Sequence, residues 1–322
     1  MITVYDTATG SLNIGDYIIM EAAKRELNDM FKDEIFDYFA THKVLTREEL
    51  NRAWINSLAF VCGTNLLRGS WRFKAVKNQW SISFFDGFKM QPAILLGVGW
   101  NNYRKKTKLR AKIFYRNALR KDILHSVRDN YTKEKLALCG IHNVINTGCP
   151  TLWGLDDNHL STIPKAKSGT VVFTLTDYRK DIELDKKIIK ILKKQYEHVY
   201  FWPQGSKDRS YLIEELGSDS VTEINDILIL EESLAAFDTL LQNGEVDYVG
   251  TRLHAGIRAL QKSKRSIIIG VDNRAIEMQK DINLPVVRRE RVEELDRLIE
   301  EEWQPELNIP WCEIKKWKAQ FL

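Results

Sequence analysis

The chain has 322 residues, 44 % of them hydrophobic, enough to bury one large core or two ordinary ones. Its 48 Lys and Arg against 44 Asp and Glu leave a formal charge of +4, too mild to call for nucleic acid. Four dispersed cysteines (Cys62, Cys139, Cys149, Cys312) exclude a disulfide framework, and no apolar run approaches the ~20 residues that span a bilayer.

The start, MITVYDTATG, has neither the basic region nor the apolar run of a secretion signal, so a cytoplasmic protein is expected. Ile2 to Tyr5 reads as a short strand; Gly10, Ser11, Asn13, Gly15 and Asp16 form a polar loop, and an amphipathic helix carries Ile18, Ile19, Ala22, Ala23 and Leu27. The glycine spacing is neither G-x-G-x-x-G nor a P-loop, and Asp16 could be a plain helix cap. Strand-like runs at Leu58 to Cys62 and Ala93 to Val98 each end in glycine, as strand ends that hold ligands often do. The aromatic stretch between them (Trp71, Phe73, Trp80, Phe84, Phe85, Phe88) reads as packing, with an acceptor groove as the alternative.

Nine basic residues and no acid lie between Arg104 and Lys121. Leu109, Ile113 and Leu119 interrupt them as in a surface helix, which would be a solvated face or would meet anionic lipid headgroups at the inner face of the membrane. Ile123 to Asn130 is a further strand running into a loop with Ser126, Arg128 and Asp129 at its end. Cys139, His142 and Cys149 are three metal-ligand types without a fourth at zinc-finger spacing, so no metal is expected.

From 156 to 169 the chain is polar and irregular and is read as a linker. Alternation resumes with strands at Val171 to Leu175, Val199 to Trp202, Ile227 to Leu230 and Ser266 to Val271. Between the last two stands DYVGTRLHAGIRALQK, Asp247 to Lys262. A strand turning through Gly250 and Thr251 into a helix puts Arg252 and His254 beside the first free N–H groups, an anion site with a proton donor. The plainer reading is a salt-bridging arginine and a structural histidine. The expected organisation is α/β with parallel sheets: a Rossmann-like domain over 1–155, the linker, a second over 170–290, and a C-terminal helical tail, 291–322, that docks through its tryptophans.

Polar residues collect at the predicted strand ends: Asn13 and Asp16, Ser126 and Arg128, Arg252 and His254, Asp272 and Arg274. Two open α/β domains facing across a cleft would gather them in one place. Three arginines suit a small, multiply anionic substrate, and a histidine and an aspartate can move protons.

Four blocks carry a family resemblance: GSLNIGDYII, SVRDNYTKEKLALCGI, YVGTRLHAGIRAL and SIIIGVDNRAIEM. In order and spacing, over roughly Gly10 to Val287, the chain resembles the polysaccharide pyruvyl transferases. The resemblance implies a GT-B-like pair of Rossmann-like domains and transfer of the enolpyruvyl-derived group of phosphoenolpyruvate, a co-substrate with no further cofactor, to sugar hydroxyls. The acceptor it implies is a bacterial surface polysaccharide or its lipid-linked oligosaccharide precursor. It gives His254, Arg252 and Asp16 catalytic roles and makes Arg128, Asn13, Gly15 and Arg274 substrate-binding, Arg274 standing where family members often carry a lysine; Ser126 is added to the substrate-binding set from its place at a strand end. Two other readings stay open: a nucleotide-sugar glycosyltransferase of the same architecture, with Glu277 as the acid it would need for a ribose, and a catalytically silent binding protein of a polysaccharide locus.

Overall fold

Among the described residues every strand of three or more residues pairs parallel to its neighbour. Parallel sheets bury both faces, which accounts for the near-continuous apolar runs IIIG, VVF and AFVC. The structure is a computed structural model describing residues 1–77, 79–103, 106–217 and 224–322. The chain divides into two compact units: Met1–Ser11, Asp16–Trp153 and Ile309–Leu322 form the first, Leu12–Gly15 and Gly154–Asn308 the second.

In unit 1 a sheet runs in the order β2 (Phe36–Ala40), β1 (Ile2–Asp6), β3 (Leu58–Cys62), β4 (Ile94–Leu96). β5 (His125–Val127) and β6 (Val144–Asn146) continue it beyond β4. The join is made partly by side chains: the Gly97 N–H donates to Ser126 Oγ at 2.9 Å and the Leu95 N–H to His125 Nδ1 at 3.2 Å. The order 2-1-3-4 with 5 and 6 added makes β1 and β3 the switch point. Helices α1 (Ile14–Met30), α2 (Arg47–Ile55), α3 (Leu109–Ala118) and α4 (Asn130–Ala137) connect the strands. β2 and α2 were not anticipated. β2 is only half-buried, whereas α2 opens on a full capping box of Thr46 and Glu49 that the sequence TREE does display.

His125 is committed to this architecture. Its Nε2 donates to the Arg120 carbonyl at 2.8 Å while Nδ1 accepts from Leu95, which leaves a neutral ring; burial pushes its pKa from 6.5 to about 4. Between those values the unfolded chain binds a proton that the folded chain refuses. Stability therefore falls as pH drops from about 6.5 to about 4, by on the order of 3 kcal/mol. Urea unfolding of the wild type and of His125→Gln at both ends of that window checks this: the variant starts less stable and loses less on acidification.

Unit 2 has one six-stranded sheet, β12 (Val286–Arg288), β11 (Ser266–Gly270), β10 (Asp247–Gly250), β7 (Thr170–Thr174), β8 (His198–Phe201), β9 (Leu228–Ile229). Counting β7 as the first strand, the order is 6-5-4-1-2-3, that of dinucleotide-binding sheets, with the switch point between β7 and β10. Its helices are α5 (Asp157–Ser161), α6 (Ile182–Gln195), α7 (Asp208–Ser210), α8 (Leu234–Asn243), α9 (Leu253–Gln261), α10 (Asn273–Ile282) and α11 (Leu295–Glu300).

The structure departs from the expected segment boundaries in three places. The chain passes to unit 2 after Trp153, and the stretch 156–169 holds α5, capped by Asp156, because Asp156 accepts the His159 N–H at 2.8 Å. The tail is divided: α11 stays with unit 2, while α12 (Trp311–Ala319) belongs to unit 1. There Trp317 is fully buried, its indole N–H donating to the Leu124 carbonyl at 2.9 Å and its ring against Phe60 and Trp153. Finally, α1 starts at Ile14, so Asp16 lies in the first turn rather than at the cap.

Candidate active site

The strongest constellation is at the β7–β10 switch point of unit 2. The Arg252 N–H donates to Thr174 Oγ1 at 3.2 Å, the Tyr248 hydroxyl donates to the Arg252 carbonyl at 2.8 Å, and the Thr174 and Tyr248 hydroxyls are 2.6 Å apart. This ring of polar contacts holds the main chain of Arg252 as it enters α9. Arg252 is the N-cap of that helix, and its side chain does not cap it. The first turn, with Leu253, His254 and Ala255, is buried against the unit. His254 is 3 % exposed.

The Arg252 guanidinium turns away from the helix end. Nε donates to Asp208 Oδ2 at 3.0 Å, Nη2 to Asp177 Oδ1 at 3.0 Å and to Asp208 Oδ1, and the Tyr178 ring lies 5.0 Å from Cζ. Asp208 is itself fixed by the N–H groups of Gly205 (2.8 Å) and Asp177 (3.2 Å). Arg274 is clasped in a similar way, by Asp272 at 2.9 Å and by the Tyr178 hydroxyl. Burial works against both guanidinium charges, and their aspartates outweigh it, so both arginines lie above the usual arginine range. Burial likewise pushes the Asp208 carboxyl up, with Arg252 pulling it back.

Residues 12–15 join this constellation. Asn13 bridges Gly205, its Oδ1 accepts from Gln204 Nε2 at 2.7 Å and from the Gly15 N–H at 3.2 Å, and the Ile14 N–H donates to the Gln204 carbonyl. Unit 2 thus brings together Asn13, Gly15, Arg252, His254 and Arg274 of the sequence-derived set. The arginines differ from expectation in being ion-paired rather than open, because three aspartates converge on them.

Unit 1 carries the other three, on two different strand ends. Asp16 follows β1 through the loop to α1 and accepts from Ser11 Oγ at 2.6 Å, with His42 Nε2 at 3.7 Å. Arg128 follows β5 and is 1 % exposed; Nε donates to Asp129 Oδ2 at 3.1 Å and Nη2 to Asn65 Oδ1 at 2.9 Å. Its Nη1 has no hydrogen-bond partner among the described residues. Gly99 makes room for this guanidinium, since a Cβ there would stand 2.2 Å from Nη2. The Ser126 hydroxyl accepts from Gly97 and pairs with Thr147 Oγ1, so it stitches strands together.

Asp177, Tyr178, Asp208, Asn65 and His42 were not singled out in the sequence. Asn65 had a signal, the turn CGTN after a strand. The aspartates had none, because Asp177 and Asp208 are 75 and 44 residues from Arg252.

Comparison with known proteins bears on this geometry. UDP-GlcNAc 2-epimerase from Methanocaldococcus jannaschii, solved with UDP-GlcNAc and UDP, superposes with a TM-score of 0.52 at 12 % identity, covering 96 % of this chain and 94 % of that one. The S. aureus MnaA–UDP structure has 12 % identity and a TM-score of 0.49 over 100 % and 96 %. The fold class expected from the sequence, Rossmann-like α/β units of the GT-B kind with parallel sheets, is the one found. No curated protein matches in sequence. The profile of the polysaccharide pyruvyl transferases matches residues 13–273, which takes in Asn13, Arg128, Arg252 and His254 and stops one residue short of Arg274, and the chain therefore belongs to the polysaccharide pyruvyl transferase family.

Proposed function

We propose that the protein transfers the enolpyruvyl-derived group of phosphoenolpyruvate to two hydroxyls of one sugar, forming a cyclic pyruvate ketal on a bacterial surface polysaccharide or its lipid-linked precursor. One observation carries the reading: a buried histidine in the first turn of a helix with no side-chain cap, positioned by a locked arginine at the switch point of a Rossmann-order sheet, in a chain of this family. The helix start offers N–H groups to an anion, and the histidine supplies a proton beside it.

The atoms balance as follows. His254 protonates the methylene carbon as a sugar hydroxyl oxygen bonds to the neighbouring carbon, and Asp16 takes the hydroxyl proton. Phosphate leaves with its bonding pair. A second hydroxyl of the sugar attacks the same carbon and gives its proton to the departed phosphate, closing the ketal. Arg128 contributes an open guanidinium nitrogen for the carboxylate or phosphate of the donor. Arg252, tied to Asp177 and Asp208, acts by holding the start of α9 and by its residual positive field. Arg274 extends that field in place of a lysine, and Asn13 and Gly15 shape the adjoining loop.

Incubation with phosphoenolpyruvate and a lipid-linked oligosaccharide should release inorganic phosphate and raise the acceptor's mass by one pyruvate ketal. A melting-temperature rise with UDP-sugars and none with phosphoenolpyruvate would favour a glycosyltransferase instead, and no shift with either a silent binding protein. Glu277, which a ribose-binding site would need, is buried within α10. No helix among the described residues is long and apolar enough to cross a membrane.

A further inference from the structure

The aromatic stretch of unit 1 splits into two populations. Trp71 and Trp80 are buried, with Trp71 stacked on Phe114 of α3 at 3.8 Å, as packing requires. Phe73, Phe85 and Phe88 are 51 %, 53 % and 45 % exposed. They are not scattered: Phe73 stacks on Phe85 at 5.6 Å, and Phe84 lies against Phe73, Phe85 and Phe88 at 5.3 to 5.8 Å. A contiguous exposed apolar surface of this kind marks an interaction site.

The surface is rigidly built. The Ser83 N–H donates to Asp86 Oδ2 at 2.6 Å and the Asp86 N–H to Ser83 Oγ at 3.1 Å, closing the turn that carries Phe85 and Phe88. Gly87 lets that turn lie directly on α3, since a Cβ there would meet the Phe114 ring at 2.5 Å. From α3 the Arg110 guanidinium reaches over Phe73 at 4.2 Å. Arg72, Lys74, Lys89, Lys106 and Lys108 are exposed in the same three segments, whose one acid, Asp86, is engaged in the turn. α3 itself starts at the N-cap Lys108 without a side-chain cap and without an acid in its first turn, so none of its own carboxylates offsets the positive helix end. Arg104 and Lys105, the start of the basic run, lie outside the described residues.

We propose that this face of unit 1 docks on an anionic lipid surface, the three phenylalanine rings entering the headgroup–acyl boundary and the basic collar meeting phosphates. The composition selects that occupant. Protein interfaces are depleted in lysine, and sugar sites are concave with a few polar groups converging on the ligand, whereas exposed rings ringed by lysine and arginine fit a plane of many anionic groups. Lipid docking does not depend on the donor chemistry, and its test needs no turnover.

The experiment is co-sedimentation of the full-length protein with phosphatidylcholine vesicles, with and without phosphatidylglycerol. Binding is expected only to the anionic vesicles and should be largely lost by about 0.5 M salt, where charges are screened within a few ångströms. Phe85→Ser with Phe88→Ser should lower the partition coefficient roughly tenfold or more, and Lys106→Glu with Arg110→Glu should do so as well. All four side chains are exposed and circular dichroism checks the fold, while the salt series on the wild type stands by itself should a variant misfold. Equal binding to neutral vesicles, no binding to either, or wild-type binding by both folded variants would overturn the proposal. So would a phenylalanine variant that binds vesicles normally but has a raised KM for a soluble oligosaccharide, which would make the patch an acceptor surface.

Discussion

Phosphate release from phosphoenolpyruvate falls by about 10²- to 10⁴-fold when His254 is replaced by Gln, the range spanned by loss of a positioned general acid. Glutamine keeps much of the length and polarity of the imidazole in the first turn of α9 but has no proton to give to carbon. Because Arg252 is held by Asp177, Asp208 and the ring through Thr174 and Tyr248, the helix start should survive the change. The melting-temperature rise on adding phosphoenolpyruvate is then retained while turnover is lost. A structural histidine gives the reverse: a lower melting point, a weakened ligand shift and a rate within a few-fold of wild type. The pH profile adds an independent readout. An acid must be protonated to act, so the alkaline limb of kcat in the wild type should vanish from the residual activity of the variant.

What the sequence discloses and what it hides differ in kind. Strands β1, β3, β7, β10 and β11 are legible because a parallel strand is buried on both faces and so reads as an unbroken apolar run. The half-buried FDYFA of β2 has no such signature. Gly250-Thr251-Arg252 announces a strand turning into a helix, and β10 does pass into α9 at that turn. Its electrostatics were not local. Whether Arg252 is an open ligand or one member of a cluster with Asp177, Asp208, Tyr178 and Arg274 depends on how β7, β8, β10 and β11 are ordered in the sheet, and composition does not contain that order. Ser126 has a similarly non-local part: it lies at a strand end as expected, and β4 and β5 recruit its hydroxyl in place of a backbone pairing. The aromatic stretch shows the limit of periodicity, since Trp71 and Phe73 are two residues apart and one is buried while the other is half exposed.

Arg128 is where a substitution should act most strongly on the donor itself. A buried guanidinium with an unpaired nitrogen is costly unless something anionic completes it, and here Nε and Nη2 are already committed to Asp129 and Asn65 while Nη1 has no protein partner among the described residues. Arg128→Met should lower kcat/KM for phosphoenolpyruvate by about 10²- to 10³-fold, since a charged hydrogen bond and a full charge are lost together. Arg128→Lys keeps the charge as a point without the fork and should lose roughly tenfold, expressed in KM. Removing the arginine also strips Asp129 Oδ2 of its partner, although Oδ1 keeps the Thr132 N–H and hydroxyl, so some loss of stability is expected and by itself proves nothing. Gly99→Ala separates the two effects. It changes no charge, yet its Cβ would stand 2.2 Å from Nη2 and 2.7 Å from Nη1, displacing the fork from its seat. If Arg128 holds the donor, Gly99→Ala raises KM for phosphoenolpyruvate and reduces the thermal shift it causes, with the acceptor KM unchanged. If Arg128 only braces β5 against the Asn65 turn, Gly99→Ala and Arg128→Lys lower the melting point and leave the donor KM where it was.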